Sequence, residues 1–68
     1  MILRQLNERY EAIMRLNDVN TRDRQLAELM TEMEKQFNIP MLRNETWEKE
    51  NRTVIALYRK ISLSRGTL

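Results

Sequence analysis

The chain has one glycine, Gly66, and one proline, Pro40, and this scarcity limits its fold more than any other feature. Sheet proteins need frequent turns, and turns are built mainly from glycine, proline, asparagine and aspartate. The remaining composition is rich in Leu, Met, Glu, Gln, Arg and Lys, which are strong helix formers. Hydrophobic residues make up 41% of the chain and charged residues 32%, as amphipathic helices require. The sequence therefore predicts an all-α protein.

The length of 68 residues allows one small domain, which we expect to span residues 1–68. A chain of this size buries only about 60% of its unfolded surface, so its core is marginal without further support. Cysteine and histidine are absent, which excludes disulfides and removes the usual zinc ligands. Oligomerisation is the remaining form of support. We therefore expect a homodimer or a complex with another protein.

Apolar residues recur at the spacing of three amphipathic helices. The helices are expected at about residues 2–16, 22–37 and 45–64. The apolar stripes of the first two are out of phase, which predicts a turn near residues 17–21 and an antiparallel helical hairpin. The third helix is expected to pack across the hairpin or against a second chain. The predicted core or interface consists of Leu6, Tyr10, Ile13, Leu26, Leu29, Met33, Phe37, Trp47, Val54, Tyr58 and Ile61.

Asparagine and threonine residues mark the expected helix ends. Asn20 or Thr21 is the expected N-cap of the second helix, and Asn38 is expected to end that helix in the left-handed conformation. Asn44 is the expected N-cap of the third helix. Asn51 lies on the apolar stripe of the third helix and has two interpretations. It is either a polar residue that fixes register between chains, or an exposed edge or break in the helix.

All 10 acidic residues lie within residues 1–51. The cations that follow without any acid are Arg52, Arg59, Lys60 and Arg65. The simplest interpretation is that positive charge near a helix C terminus complements the helix dipole. The same cations are also the candidates for contact with a polyanion, either the phosphates of a nucleic acid or an anionic membrane surface.

The segment LAELMTEMEKQFNIPMLRNETWEKENR resembles a helix-turn-helix, and its FNIP stretch is similar to the turn of phage-repressor-like DNA-binding domains. The resemblance implies that residues 41–52, together with the basic C-terminal segment, would contact DNA. Trp47 fits a buried position late in the second helix of the motif. Glu34 and Asn44 depart from the motif, which has a small residue and a buried apolar residue at those places. The match is only partial, and DNA binding is the alternative function that it implies.

The sequence offers no pattern typical of an active site. Histidine and cysteine are absent, and a single glycine at position 66 provides no glycine-rich phosphate loop. Glu28 and Glu32 share a helix face, where they are interpreted as solvated surface charge. We expect no catalytic residue, no metal ligand, no bound cofactor and no small-molecule substrate.

The preferred hypothesis is a small non-enzymatic protein of regulatory or adaptor type, which acts by helix-mediated binding to itself or to another protein. A cytoplasmic location is expected because cysteine is absent and the N-terminal residues lack the apolar region of a secretory signal. The longest apolar run is also far too short to span a membrane.

Overall fold

The computed structural model describes residues 2–65, and the regular elements that these residues form are all α-helices. The helices are α1 (Ile2–Met14), α2 (Val19–Phe37), α3 (Glu45–Glu50) and α4 (Arg52–Ser64). The all-α prediction is confirmed. The prediction of three helices is not, because the third predicted helix, residues 45–64, is divided at Asn51 into α3 and α4.

The connection between α1 and α2, residues 15–18, lies earlier in the chain than the predicted turn at 17–21. Helix α1 ends at Met14 rather than near residue 16, and α2 begins at Val19 rather than near residue 22. Asp18 is its N-cap, so the prediction of Asn20 or Thr21 is wrong. The Asp18 backbone is extended, and its carboxylate accepts a hydrogen bond from the Thr21 backbone N–H at 3.0 Å and another from the Thr21 hydroxyl. Thr21 is therefore the donor rather than the N-cap. Asp18 is the better cap because one carboxylate oxygen accepts both hydrogen bonds from Thr21.

Helix α2 packs against both α1 and α4, and its apolar stripe forms the centre of the core. Leu26, Leu29 and Met33 have no exposed surface. The smallest Cα extent of the molecule is 16 Å, which is less than two helix diameters, so the core is a single layer of side chains. The buried residues are Leu6, Ile13, Leu26, Leu29, Met30, Met33, Val54, Leu57 and Ile61.

Helices α1 and α4 run in the same direction along their shared contact. The Lys60 ammonium donates to the Asn7 side-chain oxygen at 3.0 Å, and one turn further on the Tyr10 and Ser64 hydroxyls lie 2.8 Å apart. Residue numbers therefore increase together in the two helices. The same Lys60 nitrogen lies 4.8 Å from the centroid of the Tyr10 ring, a cation–π distance that adds to the contact.

Asn38 ends α2 in the left-handed conformation, as predicted, with φ 54° and ψ 48°. Asparagine tolerates this region better than other side chains that carry a Cβ, so it replaces the more usual glycine. Pro40 then prevents a return to helix at the preceding residue. Residues 38–44 form a connecting loop, and this loop is the longest non-helical stretch within residues 2–65.

The cap at Asp18 makes the stability of α2 sensitive to acid. Hydrogen bonds from the Thr21 hydroxyl and then the Thr21 backbone N–H hold the pKa of Asp18 below its ordinary value of 3.8. The lowered pKa means that this stabilisation is present above the unfolded value and is lost as the pH falls through the folded value. We expect Asp18→Ala to melt at a lower temperature than the wild type at neutral pH, as followed by circular dichroism.

Asp18→Asn is the matched control, because asparagine also accepts the cap hydrogen bonds but carries no titrating charge. It should melt close to the wild type at neutral pH and lose less stability on acidification. Identical melting of Asp18→Ala and the wild type would contradict the assignment of Asp18 as the cap.

Candidate protein-interaction site

A cleft with both apolar and polar walls opens where the 38–44 loop meets α3 and α4. Its volume is about 180 Å³. The apolar and aromatic side chains of its walls include Ile39, Pro40, Trp47, Ile55 and Tyr58, and the polar ones are Arg43, Asn44, Glu48, Arg59 and Ser62. We call this depression the loop cleft. Small-molecule sites usually enclose about 300–1,000 Å³, so the loop cleft is of a size for inserted side chains rather than for a small-molecule ligand.

Two consecutive apolar side chains at the rim of the loop cleft are highly exposed to solvent. Met41 is 102% exposed and Leu42 is 83% exposed. Single exposed apolar residues such as Val19 and Leu63, on α2 and α4, are ordinary features of protein surfaces. An exposed apolar pair that adjoins the apolar wall of a cleft is different, because contiguous apolar surface marks sites of interaction. Met41, Leu42 and the loop cleft together are called the loop patch below.

Two asparagine side chains fix the position of Trp47 in the wall of the cleft. Asn44 caps α3, and its side-chain oxygen accepts from the Trp47 N–H at 3.0 Å. The Asn51 side-chain amide donates to the Trp47 carbonyl at 2.8 Å. Both backbone polar groups of Trp47 therefore have an asparagine partner, while its ring packs partly against the core. This arrangement confirms the prediction that Asn44 is an N-cap.

Asn51 is the point at which α3 stops and α4 starts. Its backbone has φ −129° and ψ 46°, outside the helical region, and its N–H bonds to the Glu48 carbonyl at 3.2 Å. Its carbonyl in turn accepts the Ile55 N–H at 3.0 Å, which begins α4. The interpretation of Asn51 as a helix break is confirmed, although its side chain does not cap α4. A role in register between chains stays a prediction.

Polar contacts between helices hold the walls of the cleft in place. Arg59 on α4 donates to the Glu48 carboxylate on α3 at 2.7 Å, and the Glu48 side chain is only 17% exposed. The Tyr58 hydroxyl donates to the Glu34 carboxylate on α2. Burial, followed by this hydrogen bond and the charge of Glu34, raises the pKa of Tyr58 to about 12. The Tyr58 hydroxyl therefore stays protonated at physiological pH and can donate the hydrogen bond to Glu34.

The structure divides the predicted core or interface residues into two groups. The buried ones are Leu6, Ile13, Leu26, Leu29, Met33, Val54 and Ile61, and the partly buried ones are Tyr10, Phe37, Trp47 and Tyr58. Trp47 and Tyr58 face the loop cleft. Sequence reasoning did not assign Leu42 or Ile55 to the site. The available signal was the apolar pair that directly follows Pro40 and lies outside every helical stripe.

The predicted basic segment does not form one charged face. Arg59 pairs with Glu48 on α3, and Lys60 contacts α1 as described above. Arg65 lies 4.0 Å from the Asp23 carboxylate on α2, and its guanidinium also reaches the Met30 sulfur at 3.7 Å. These three cations therefore point toward three different helices. Arg52 is exposed and has no ion-pair or hydrogen-bond partner among residues 2–65.

The segment that resembles a helix-turn-helix has its own geometry here. Seven residues, 38–44, separate α2 from α3, and α3 has only 6 residues. The motif joins its helices through a turn of about three or four residues. Glu34, where the motif has a small residue, is exposed and accepts the Tyr58 hydrogen bond, so it lies beside the helix contact rather than within it.

Comparisons with protein-family models, with curated proteins and with solved structures give no match for this chain. None of the helices formed by residues 2–65 combines the length and the hydrophobicity needed to cross a membrane.

The burial of Tyr58, together with its hydrogen bond to Glu34, makes the fold lose stability at alkaline pH. The unfolded tyrosine ionises near its ordinary pKa of 10.0, whereas the folded one ionises near 12. A raised folded pKa means that the stabilisation is complete below pH 10.0 and is lost as the pH rises towards 12. We expect Tyr58→Phe to lose less stability than the wild type across this interval, as measured by urea unfolding.

Tyr10→Phe is the matched control, since it leaves Tyr58 as the remaining tyrosine. Its tyrosinate absorbance should rise with a midpoint near 12, and Glu34→Gln in the same background should lower that midpoint. A midpoint near 10.0 in the folded Tyr10→Phe protein would contradict both the burial of Tyr58 and its contact with Glu34.

Proposed function

We propose that this chain is a small non-enzymatic protein of regulatory or adaptor type that binds a protein partner through the loop patch. The observation that carries the proposal is the exposure of Met41 and Leu42 beside the loop cleft. Apolar anchors and an aromatic-lined depression are the features from which protein interfaces draw most of their binding energy. A cytoplasmic location and a homodimeric or heteromeric state are parts of this proposal.

The rigidity of the cleft walls supports the proposal. The asparagine contacts to Trp47 and the Arg59–Glu48 ion pair order the cleft before any partner arrives. A preorganised surface avoids part of the entropy lost when an interface forms. Methionine at the rim adds adaptability, because its unbranched side chain adjusts to different partner surfaces.

The hairpin prediction has a place in this proposal. Residues 15–18 make only a short connection between α1 and α2, which fits an antiparallel hairpin that supports α4 from one side. In that arrangement the hairpin is the scaffold, and the loop, α3 and the adjoining face of α4 are the binding surface.

DNA binding through residues 41–52 and the basic segment is the less supported alternative. Three of its four candidate cations already have partners within the chain. Within residues 41–52, Arg43, Lys49 and Arg52 are balanced by Glu45, Glu48 and Glu50, so this segment has no net positive charge to attract phosphates.

We expect a photoreactive amino acid at position 42 to form covalent adducts with a protein partner in cells. The same photoreactive residue at Val19 is the matched control, because Val19 is also an exposed apolar position, at 52%. It lies at the other end of α2, about 27 Å along the helix from residue 37. Adducts should be analysed by mass, which separates a second copy of the chain from a different protein.

Adducts that arise only from position 42 would support the proposal. Absence of any protein adduct at that position, or equal adducts from position 19, would contradict binding through the loop patch.

A titration into fluorescent random-sequence duplex DNA distinguishes the proposed function from DNA binding. We expect little change in anisotropy even at low salt, because the cations of α4 are dispersed and partly neutralised. Micromolar binding that weakens steeply with salt would instead reveal several phosphate contacts and favour the DNA-binding function.

A further inference from the structure

We propose that Met41 is a site of reversible oxidation, at which a peroxide converts the thioether to a sulfoxide and makes the loop patch polar while the fold stays intact. The consequence for partner binding rests on the proposed function, whereas the oxidation itself does not. The chain has no cysteine, so its only sulfur atoms are those of methionine. Which methionine reacts first therefore depends on which sulfur is open to solvent.

The fold separates Met41 from the other methionines that the structure describes. Met33 has no exposed surface, and Met30 is 9% exposed. The sulfur of Met30 also lies 3.7 Å from a nitrogen of the Arg65 guanidinium. Met14 is partly buried against the core. Met41 is as exposed as it would be in an extended chain, so an oxidant reaches its sulfur without any movement of the fold.

The position of Met41 in the chain explains its exposure. In a helix, the side chains three and four positions away lie beside a given residue and cover part of it. Met41 lies between α2 and α3, outside every helix formed by residues 2–65, and so lacks such neighbours. It is also the first of six consecutive exposed residues, 41–46. The loop therefore presents one sulfur to solvent at the rim of the loop cleft.

The oxidation transfers one oxygen atom and two electrons. A lone pair of the Met41 sulfur attacks one oxygen of hydrogen peroxide, and the S–O bond forms as the O–O bond breaks. The displaced hydroxide takes the proton from the transferred oxygen and leaves as water. Sulfur is oxidised and the peroxide is reduced. Methionine sulfoxide reductases return the sulfoxide to the thioether, so the change is reversible.

The fold tolerates a sulfoxide at Met41 but not at Met33. The Met41 side chain buries no surface against the rest of the chain, so a polar group there costs no packing. A sulfoxide at Met33 would place an oxygen acceptor among the apolar side chains of the core, where an unpaired polar group is unfavourable. Oxidation that is limited to Met41 therefore changes the surface and leaves the structure unchanged.

The sulfoxide changes what a partner meets at the loop patch. The thioether is a flexible apolar group, whereas the sulfoxide is polar and accepts hydrogen bonds. It would lie beside Leu42 and the apolar wall formed by Trp47 and Ile55. A partner whose apolar surface covers Met41 would leave the new acceptor without a donor, which is costly. Oxidation of Met41 therefore weakens binding at the loop patch.

Limited oxidation followed by tryptic mapping tests the site. Trypsin cleaves after lysine and arginine, so Met41 lies alone in the peptide 36–43, whereas Met30 and Met33 share the peptide 25–35. After brief exposure of the folded chain to dilute hydrogen peroxide, we expect peptide 36–43 to gain one oxygen atom at least about tenfold faster than peptide 25–35. Circular dichroism should then show an unchanged melting temperature, because Met41 contributes no buried surface.

The unfolded chain is the matched control for the mapping. In concentrated urea every methionine is in contact with solvent, so peptides 36–43 and 25–35 should be oxidised at similar rates per methionine. Similar rates in urea, together with a large difference in the folded chain, would assign the selectivity to the fold rather than to the sequence around Met41.

Capture by the photoreactive residue at position 42 tests the consequence for binding. The chain that carries this residue is oxidised at Met41, freed of peroxide and mixed with cell extract before illumination. We expect the yield of protein adducts to fall by about tenfold relative to the untreated chain. The same chain with Met41→Leu has no sulfur at the site, so peroxide treatment should not change whatever yield it gives.

Equal oxidation of peptides 36–43 and 25–35 in the folded chain, or unfolding on oxidation of Met41, would overturn the inference. An adduct yield that oxidation does not lower, or lowers equally in the Met41→Leu chain, would overturn the effect on the loop patch. A complete lack of adducts from the untreated chain would instead contradict the proposed function, and the mapping would still decide whether Met41 is the oxidised site.

Discussion

The two asparagine contacts to the Trp47 backbone are the constraint on which the candidate site depends. Asn44 binds its N–H and Asn51 binds its carbonyl, so that α3 is held at both ends although it has only 6 residues. An isolated helix of this length would be unstable in water, because nucleation costs more than so few hydrogen bonds return. Tertiary contacts must therefore maintain α3, and the packing of the Trp47 ring against the core supplies one of them.

The break in the helix at Asn51 allows a cleft to form beside Trp47. In a continuous helix over residues 45–64, the polar outer face would run on without interruption. With the break, α3 departs from the axis of α4, and a depression opens between α3, the 38–44 loop and the Ile55 side of α4. The Arg59–Glu48 ion pair joins the two helices within the wall of this depression. One asparagine that abandons helical geometry therefore creates the concave surface.

Much of the fold could be predicted from the sequence because helix signals are local. The spacing of apolar residues located the buried stripe of α2, and the asparagines at 38 and 44 marked two helix ends correctly. The cap of α2 was misplaced by two or three residues because Asp18, Asn20 and Thr21 all favour caps. Which of the three becomes the cap depends on which side-chain oxygen the donors reach in the folded chain, and the sequence does not show this.

The candidate site was much harder to predict, since it is built from residues that follow no helical period. Met41 and Leu42 lie in a loop, and their exposure is decided by how Asn38 and Pro40 turn the chain away from the core. The alternative interpretation of the basic segment, contact with a polyanion, required its cations to share one surface. Successive helical residues point in directions about 100° apart, however. Arg59 and Lys60 therefore meet different helices, and each finds its own partner there.

The fold and the candidate function are linked through the thinness of the core. A thicker protein could bury Met41 and Leu42 against its own interior, but this chain has only one internal layer, and α1, α2 and α4 already fill it. The loop that leaves α2 therefore has no interior to enter, and its apolar residues remain on the surface. Removal of apolar surface from water is favourable. The small size of the core, which limits the stability of the monomer, therefore also favours association at this loop.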